Sequence, residues 1–388
     1  MTVPLHSIHR RSVFAGFDLP EFEGVDEVVR SFADDNPVHC IFPDRVAQAA
    51  KRFLSGFKGT VAYAVKCNPH PLVLSTMWEA GIRHFDVASR VEVDVVSATA
   101  PVARQWFMHP VKSRAALLHA GNRGVTDFSF DTHDELEKIC AVLGDVPLGL
   151  HLRLALPCYG AVWDLTGKFG ASPDESVDLL RAARSRCEHL GIAFHVGSQC
   201  MSPEVYERAI AVAAEVCQRA EVSIDSLDVG GGFPADYPGL EAPPLAHFFD
   251  AIHAAAVRHG FADTPLICEP GRAMVATAGS LLVRVDLRRG DRLYINDGTY
   301  GALFDAGSPK WRFPARLVRP TASASSTLVP FKFLGPTCDS LDAMDGPFFL
   351  PDDTREGDWI EISQLGAYGA ALRTAFNGFS ELDTVVIR

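Results

Sequence analysis

The chain has 388 residues, of which 47% are hydrophobic and 22% are charged, a composition typical of a folded globular protein. Its formal net charge of −12 argues against binding to the phosphate backbone of a nucleic acid. No apolar run is long enough to cross a membrane, and the first residues lack the apolar core of a signal peptide, so we expect a cytoplasmic protein.

The nine cysteines are scattered and odd in number. None forms a Cys-x-x-Cys pair or a Cys/His cluster with the spacing of metal ligands. The sequence therefore predicts neither a disulfide framework nor a metal site.

Short β-type runs alternate with amphipathic helical stretches from residue 36 to residue 272. The strand candidates are 38–42, 60–65, 84–88, 105–109, 127–131, 148–154, 192–196, 227–231 and 266–270. Such alternation is typical of a parallel sheet, and the number of strands favours a (β/α)8 TIM-type barrel over a doubly wound sheet.

The pattern changes after residue 272, where β-type runs follow one another without long helices. We expect an all-β C-terminal domain over residues 273–388. Residues 1–35 do not fit the barrel pattern and are predicted to pack with this β domain.

Several chemically versatile residues follow predicted barrel strands, at the face where such barrels place their active sites. Lys66 ends one strand and His195 another. Taken alone, either residue is more often structural or solvated than catalytic.

Two glycine loops follow the last two predicted strands. One contains Gly230–Gly232, and the other contains Gly271 and Arg272 directly after Glu269. Glycines let backbone N–H groups close around an anion, and an arginine adds charge-assisted hydrogen bonds. A phosphorylated pyridine cofactor needs a lysine, a phosphate cradle and an acid for its ring nitrogen. Lys66, these loops and Glu269 provide all three, so pyridoxal phosphate is the predicted cofactor.

A set of motifs resembles the fold-type III pyridoxal-phosphate decarboxylases, and within them the ornithine decarboxylase group. In chain order they are AVKCNPHP (64–71), FDVASRVEV (85–93), KFGA (168–171), HVGSQC (195–200), DVGGGFP (228–234), EPGR (269–272), NDGTYG (296–301), GPTCDSLD (335–342) and LGAYGAA (365–371). The resemblance covers nearly the whole chain and implies an alanine-racemase-like fold.

The resemblance assigns most of the barrel residues to the cofactor. It implies that Lys66 is the Schiff-base lysine, Glu269 the acid at the pyridine nitrogen and His195 the imidazole on the ring face. The other implied positions are Asp86 and Glu92 near the lysine, Arg153 near the ring oxygen, and Ser198, Gly232, Gly271, Arg272 and Tyr368 at the phosphate.

The resemblance also implies a homodimer with two shared active sites. Tyr300, Cys338 and Asp339 match residues that enter the site from the partner subunit in this family. Cys338 matches the residue that returns a proton to carbon, and Asp339 matches the acid that receives the distal ammonium of a basic amino acid.

Substrate choice stays open between ornithine, which we expect first, and lysine. Family members carry a second acid after the NDGxYG motif, whereas Asp305 falls earlier here than the family's usual offset. Diaminopimelate is less favoured, because that subgroup usually has Glu where this chain has Asp339.

Two further alternatives are a racemase on the same type of barrel and a non-catalytic regulatory relative. A racemase needs an acid–base residue on each face of its substrate, and the GPTCDSLD motif fits a decarboxylase better. The presence of Lys66, Gly232, Arg272 and Cys338 speaks against a regulator.

Overall fold

The computed structural model describes residues 19–144, 146–156, 162, 167–307 and 309–388. The first 18 residues of the predicted N-terminal segment lie outside this description. The described residues form two units. The barrel unit comprises Gln48–Ala235 and Ala242–Ala273, and the β unit comprises the residues before Gln48 together with Asp236–Glu241 and Met274–Arg388.

The helices and strands are numbered along the chain. They are β1 (Glu21–Phe22), α1 (Val25–Ser31), β2 (Val38–Ile41), α2 (Pro43–Gly56), β3 (Thr60–Ala64), α3 (Pro71–Glu79), β4 (His84–Val87), α4 (Arg90–Thr99), β5 (Arg104–Phe107), α5 (Arg114–Asn122), β6 (Asp127–Phe130), α6 (His133–Leu143), β7 (Gly149–Arg153), α7 (Pro173–Arg184), β8 (His189–Ala193), α8 (Glu204–Ala220), β9 (Ser226–Asp228), α9 (Leu245–Arg258), β10 (Leu266–Cys268), α10 (Arg272–Val275), β11 (Gly279–Arg289), β12 (Arg292–Ile295), β13 (Ala315–Val318), β14 (Leu328–Leu334), β15 (Ala343–Pro351), β16 (Trp359–Ile362) and β17 (Asp383–Ile387).

Eight parallel strands, β3 to β10, close into a barrel in which β10 pairs with both β9 and β3. Helices α3 to α9 alternate with these strands along the chain. The predicted (β/α)8 barrel is therefore confirmed. In this fold the loops that follow the strands all gather at one face, which is where the chemically versatile residues of this sequence fall.

Side-chain caps fix where several barrel helices begin. A serine or threonine before the helix accepts a hydrogen bond from the backbone N–H three residues later in α4, α5, α6 and α7, and α7 adds a full capping box. Each cap satisfies a donor that the first turn leaves unpaired and contributes about 1 kcal/mol. The capping residues are Ser89, Ser113, Thr132 and Ser172.

The first predicted barrel strand lies outside the barrel. In the structure β2 pairs antiparallel with β11 and parallel with β17, within the sheet of the β unit. All four residues of β2 are buried. A short, fully buried strand has the same sequence pattern in any sheet, so its partners could not be deduced from the sequence. The barrel begins instead with β3.

The β unit is built mainly of β-strands, as predicted for the C-terminal region. Its nine-stranded sheet has the order β1-β17-β2-β11-β12-β14-β15, and β16 pairs with both β11 and β13. Strand β1 pairs in parallel with β17, so the two described ends of the chain meet at one sheet edge.

A polar network lies near the amino-terminal ends of the neighbouring barrel strands β4, β5 and β6. The His84 ring lies 4.8 Å from the Trp106 ring, and Asp127 accepts hydrogen bonds from Arg104 at 3.1 Å and from Thr126 at 2.8 Å. Burial, with the charge of Arg104 adding, lowers the pKa of His84 below its usual 6.5. His84 is therefore held neutral in the folded protein.

This network predicts that the folded protein becomes less stable as the pH falls. Below about pH 6.5 the unfolded chain takes up a proton on His84 that the folded chain resists. The free energy of unfolding therefore decreases as the pH falls, by up to about 1.4 kcal/mol per pH unit. His84→Phe should show a smaller drop in melting temperature from pH 7 to pH 5 than the unsubstituted protein. The exposed His247 provides the control as His247→Phe. Equal drops in the His84 and His247 variants would contradict the prediction.

Candidate active site

Lys66 lies at the mouth of the barrel in a short 3-10 turn, Val65–Cys67, directly after β3. Its Nζ is 3.1 Å from Oδ2 of Asp86 on β4. The Asp86 side chain is only 3% exposed, whereas that of Lys66 is 44% exposed. A buried carboxylate therefore orients an amine that an incoming molecule can still reach.

Glu92 lies on α4, the helix that follows β4. Its Oε2 accepts a hydrogen bond from the backbone N–H of Ala88 at 2.7 Å. Burial, with the charge of Asp86 adding, raises the pKa of Glu92. Glu92 thus anchors the start of α4 close to the Lys66–Asp86 pair.

Backbone hydrogen bonds tie together the three loops after β8, β9 and β10. The N–H of Cys200 donates to the carbonyl of Gly232 at 2.8 Å, and that of Glu269 donates to the carbonyl of Gly230 at 2.8 Å. The N–H of Ala64 donates to the carbonyl of Pro270 at 3.1 Å, which links the last loop to the end of β3. The motifs HVGSQC, DVGGGFP and EPGR therefore meet at one edge of the barrel mouth.

The glycine loop after β9 needs glycine for steric reasons. Gly230 has φ +66°, and a Cβ there would lie 2.0 Å from the Phe194 carbonyl oxygen. Gly232 has φ +102°, and its Cβ would lie 2.6 Å from the Gly197 carbonyl oxygen. Both conformations are rare for other residues. Without side chains, the backbone of this loop is open to an anion.

Arg272 is buried beside this loop. Its Nε donates a hydrogen bond to Oγ of Ser198 at 3.4 Å. Gly271 directly precedes α10, and Arg272 is the first residue of that helix. The structure thus brings Ser198, Gly232, Gly271 and Arg272 into one group of linked loops, with a guanidinium among glycines.

His195 lies two residues beyond the end of β8, whereas the sequence pattern placed it at the end of a strand. Its Nδ1 accepts a hydrogen bond from the N–H of Gly197 at 3.0 Å. Burial lowers the pKa of His195 well below 6.5, and the charges of Arg153 and Lys66 lower it further. Arg153 is the last residue of β7 and is half-buried. The imidazole is therefore neutral.

Glu269 follows β10 and is only 3% exposed. Its Oε1 has no hydrogen-bond partner among the described residues. Burial raises the pKa of Glu269 well above its usual value, and the charges of Asp228 and Asp86 raise it further. A buried carboxyl oxygen without a donor matches a ligand that brings an N–H group.

In the β unit, the predicted Tyr300, Cys338 and Asp339 form a second group. The Tyr300 hydroxyl donates to Oδ2 of Asp339, and the N–H of Leu341 donates to its other oxygen at 3.0 Å. The backbone N–H and the thiol of Cys338 both donate to Oδ1 of Asn377 at 3.2 Å. Cys338 is exposed.

Asp342 organises this group, and sequence reasoning assigned it no role. Its Oδ1 accepts from the N–H of Thr299 at 2.7 Å and from the Thr299 hydroxyl at 3.1 Å. Its Oδ2 accepts from the N–H of Thr337 at 3.1 Å and from the Thr337 hydroxyl at 2.7 Å. One buried carboxylate therefore joins the NDGTYG and GPTCDSLD motifs. The sequence held one sign of this role, because Asp342 is the last residue of the GPTCDSLD motif.

A third loop, just after the LGAYGAA motif, joins the same group. The N–H and hydroxyl of Thr374 donate to the Tyr300 carbonyl at 2.9 and 3.0 Å, and the Phe376 ring lies 4.6 Å from that of Tyr300. Arg373 forms an ion pair with the buried Asp297 of the NDGTYG motif. Asn377, which holds Cys338, belongs to this loop and was also missed.

Two more predicted site residues, Asp305 and Tyr368, lie in the β unit. Asp305 is buried in a 3-10 helix, Phe304–Ala306. A cavity of about 340 Å³ beside Tyr300 is lined by Thr299, Tyr300, Phe304, Leu341, Leu372 and Thr374, so Phe304 rather than Asp305 contributes to it. Tyr368 is half-buried, with a left-handed φ of +57°.

Neither a membrane-spanning helix nor a metal-binding cluster is present in the described ranges. Within them, no helix combines the length and apolarity that crossing a bilayer requires. No group of three or more His, Cys, Asp or Glu side chains in them is arranged to hold a metal ion.

Comparison with known proteins identifies the family. Residues 43–276 match the family described as pyridoxal-dependent decarboxylase, pyridoxal binding domain. The chain belongs to the pyridoxal-dependent decarboxylases. This decarboxylase is 35% identical over 337 residues to the lysine/ornithine decarboxylase of Selenomonas ruminantium, an alignment that covers 84% of this chain and 83% of the relative.

Solved structures of similar proteins agree with this assignment. The arginine decarboxylase of Paramecium bursaria Chlorella virus bound to agmatine is 31% identical with a TM-score of 0.82, over 93% of this chain and 100% of the other. The lysine/ornithine decarboxylase of Vibrio vulnificus complexed with putrescine is 28% identical with a TM-score of 0.80, over 94% and 97%. The predicted family, alanine-racemase-like fold, carboxy-lyase activity and pyridoxal phosphate cofactor are confirmed. Decarboxylation of a basic amino acid is supported.

The barrel residues fit the cofactor of this decarboxylase. The loop around Gly230 and Gly232 leaves backbone room for an anion, and Arg272 lies beside it. Glu269 has a buried carboxyl oxygen that lacks a donor, as required opposite a protonated ring nitrogen. Lys66 is an oriented and accessible amine.

Proposed function

We propose that this chain decarboxylates ornithine to putrescine and, second, lysine to cadaverine, as a homodimer with two shared sites. The observation that carries the proposal is the Tyr300–Asp339–Cys338 group. It places a carboxylate for a distal ammonium next to a thiol that can give a proton to carbon. The names of the relatives, which mention lysine, ornithine and arginine, support a basic substrate.

In this proposal the barrel unit holds the cofactor. Lys66 Nζ would form the covalent link, and Asp86 keeps that amine oriented. The phosphate would be held by the backbone of the glycine loop, including Gly232, and by Ser198, Gly271 and Arg272. The family resemblance adds Tyr368 as a further phosphate residue.

Charge and packing would hold the ring of the cofactor. Glu269 would pair with the pyridine nitrogen, and Arg153 would hold the ring oxygen. The neutral His195 would pack against the ring, where a charged imidazole would repel a protonated ring. Bound pyridoxal phosphate supplies the electron sink for the pair that remains when the carboxylate leaves as carbon dioxide.

The β unit supplies the groups that act on the substrate. Asp339 binds the distal ammonium, with Tyr300 fixing its carboxylate. Cys338 Sγ delivers a proton to the carbon that has lost carbon dioxide, and Asn377 holds the thiol in place. Asp305 is a further substrate-binding candidate in this region. A substrate without the distal charge would leave the Asp339 carboxylate unpaired, so it is rejected.

Exposed apolar side chains support the dimer. The apolar rim consists of Phe304, Leu341, Leu372, Phe376 and Phe379, which lie in the same loops as Tyr300, Asp339 and Asn377. Leu341 is 74% exposed in the single chain. Large apolar side chains that cluster on a surface are typical of protein interfaces. A second copy of the chain that covers this rim would receive Cys338 and Asp339 into its own barrel mouth.

Replacing the arginine of the phosphate cradle should weaken cofactor binding. Arg272→Ala removes a charge-assisted hydrogen bond, which contributes about 1.5–3 kcal/mol, so the affinity for pyridoxal phosphate should fall about ten- to a hundredfold. Fluorescence titration of the apoprotein measures this change. Arg123→Ala, which removes an exposed arginine, is the control. An unchanged affinity in Arg272→Ala would place the phosphate elsewhere.

A substrate panel tests the proposed specificity. The holoenzyme is incubated with ornithine, lysine, arginine, diaminopimelate and norvaline, which is ornithine without its distal amine, and the amines formed are identified by mass. Ornithine should give the highest kcat/KM, lysine the next, and norvaline a value lower by about 10⁴-fold. A higher kcat/KM for arginine or diaminopimelate than for ornithine, or comparable values for norvaline and ornithine, would refute the proposal.

A further inference from the structure

Asp228 lies inside the barrel, next to Glu269. It is the last residue of β9 and is opposite Ala193 on β8 and Ile267 on β10. Ala193 and Ile267 belong to one buried apolar cluster although their strands are not neighbours, so both point into the barrel. Residues that are opposite one another on paired strands share a face, and Asp228 therefore points inward as well.

Glu269 continues on the same face. It lies two residues after Ile267, which is one full repeat of a strand, and its N–H donates to the Gly230 carbonyl at 2.8 Å. Diagonal neighbours on paired strands are within reach of a long side chain. The two carboxyl groups are therefore next to each other at the end of the barrel interior.

Each of these acids has one oxygen without a donor. Oδ1 of Asp228 accepts from the N–H of Gly230 at 2.8 Å, but its Oδ2 has no partner among the described residues, and the same holds for Oε1 of Glu269. Asp228 is 0% exposed. Two adjacent ionised carboxylates with bare buried oxygens would be strongly unfavourable, and a single shared proton removes both problems.

Other titratable groups face the pair from the surrounding elements. Burial raises the pKa of Asp228 to about 6 and that of Glu269 well above its usual value, so the pair keeps a proton near neutral pH. The negative charge of Asp86 favours protonation of the pair, and the positive charges of Lys66 and Arg153 disfavour it. These groups are Asp86 on β4, His151 and Arg153 on β7 and Lys66 after β3.

We propose that Asp228 is a positioning residue that shares one proton with Glu269 in the cofactor-free protein and makes that proton available to the ring nitrogen when the cofactor binds. The O–H bond of the pair breaks, an N–H bond forms, and the Glu269 carboxylate remains to face the protonated ring. Asp228 acts through Glu269 and touches neither cofactor nor substrate. The inference rests on the proposed role of Glu269.

Infrared difference spectroscopy on the apoprotein tests the shared proton. Asp228→Asn keeps the oxygen that accepts from Gly230 but cannot share the proton, and Glu269→Gln removes the other member of the pair. At pH 7 the carbonyl band of a protonated carboxyl group should be present in the unsubstituted protein and absent from Glu269→Gln. In Asp228→Asn burial keeps Glu269 protonated, but the band should move in frequency because the proton is no longer shared with a second carboxylate. Subtracting each variant cancels other protonated acids. If the band is lacking in the unsubstituted protein, persists in Glu269→Gln, or keeps its frequency in Asp228→Asn, the inference is overturned.

Cofactor affinity separates this inference from the proposed function. Glu269→Gln should weaken pyridoxal phosphate binding, and Asp228→Asn should weaken it about tenfold, which a loss of about 1.4 kcal/mol would produce. If Glu269→Gln leaves the affinity unchanged, the proposed role of Glu269 fails. If the affinity falls in Glu269→Gln but is unchanged in Asp228→Asn, the inference about Asp228 fails and the proposed role of Glu269 stands. Should Asp228→Asn not fold, as judged by its melting transition, the infrared band in Glu269→Gln tests the shared proton. Its absence supports the inference, and its persistence overturns it.

Discussion

Lys66→Ala is expected to abolish turnover, by about 10³-fold or more, even with pyridoxal phosphate in excess. In the proposed function Lys66 provides the amine for the covalent link, and its Nζ is held at 3.1 Å from the buried Asp86. The unsubstituted protein should absorb visible light and lose that band on reduction with borohydride. Peptide mapping should then find the cofactor attached to Lys66. Lys51→Ala, which alters an exposed lysine of α2, is the control and should keep full activity.

The assignment of Lys66 has two clear contrary results. One is reduced cofactor attached to a different lysine. The other is turnover by Lys66→Ala within a few fold of that of the Lys51→Ala control.

Mixing two inactive variants should restore activity, because the proposed site is shared between subunits. Lys66→Ala and Cys338→Ala should each be nearly inactive alone. In a heterodimer one site carries both substitutions and the other carries neither. Random pairing makes about half of all dimers heterodimeric, so about a quarter of the original activity should return. Different affinity tags on the two variants, with recovery of doubly tagged dimer, prove that the subunits exchanged.

The alternative is that Cys338 acts within its own subunit. Both sites of a heterodimer then stay broken, because each subunit carries one of the two substitutions. Doubly tagged dimers without recovered activity would therefore refute the shared site. The Asp339→Asn variant, paired with Lys66→Ala, repeats the test with the neighbouring residue of the same loop.

The barrel could be predicted from the sequence because its pattern is local. Strands and helices alternate in a regular rhythm, and eight of the nine strand candidates pair in the barrel. The ninth, β2, is a buried apolar run whose partners β11 and β17 are more than two hundred residues away in sequence. No local pattern identifies such partners.

The candidate site could be predicted where residue type and position relative to a strand are enough. Lys66, His195 and Glu269 each follow a barrel strand, so the fold alone gathers them at one face. Asp228 was missed because its place beside Glu269 follows from strand pairing. Asp342 and Asn377 were missed because their contacts run between loops. Asp342 joins Thr299 to Thr337, and Asn377 holds Cys338, 39 positions away. Only the folded chain brings these residues together.

The fate of the substrate's carboxyl carbon tests the central claim most directly. The holoenzyme is incubated in heavy water with ornithine that carries an isotope label in its carboxyl group. A basic amino-acid decarboxylase releases the label as carbon dioxide, in equal amount to putrescine that carries one deuterium on the former α-carbon. A racemase retains the label in ornithine and produces the opposite enantiomer, and a non-catalytic relative leaves ornithine unchanged. Either of the last two results, with pyridoxal phosphate bound to the protein, would contradict the account.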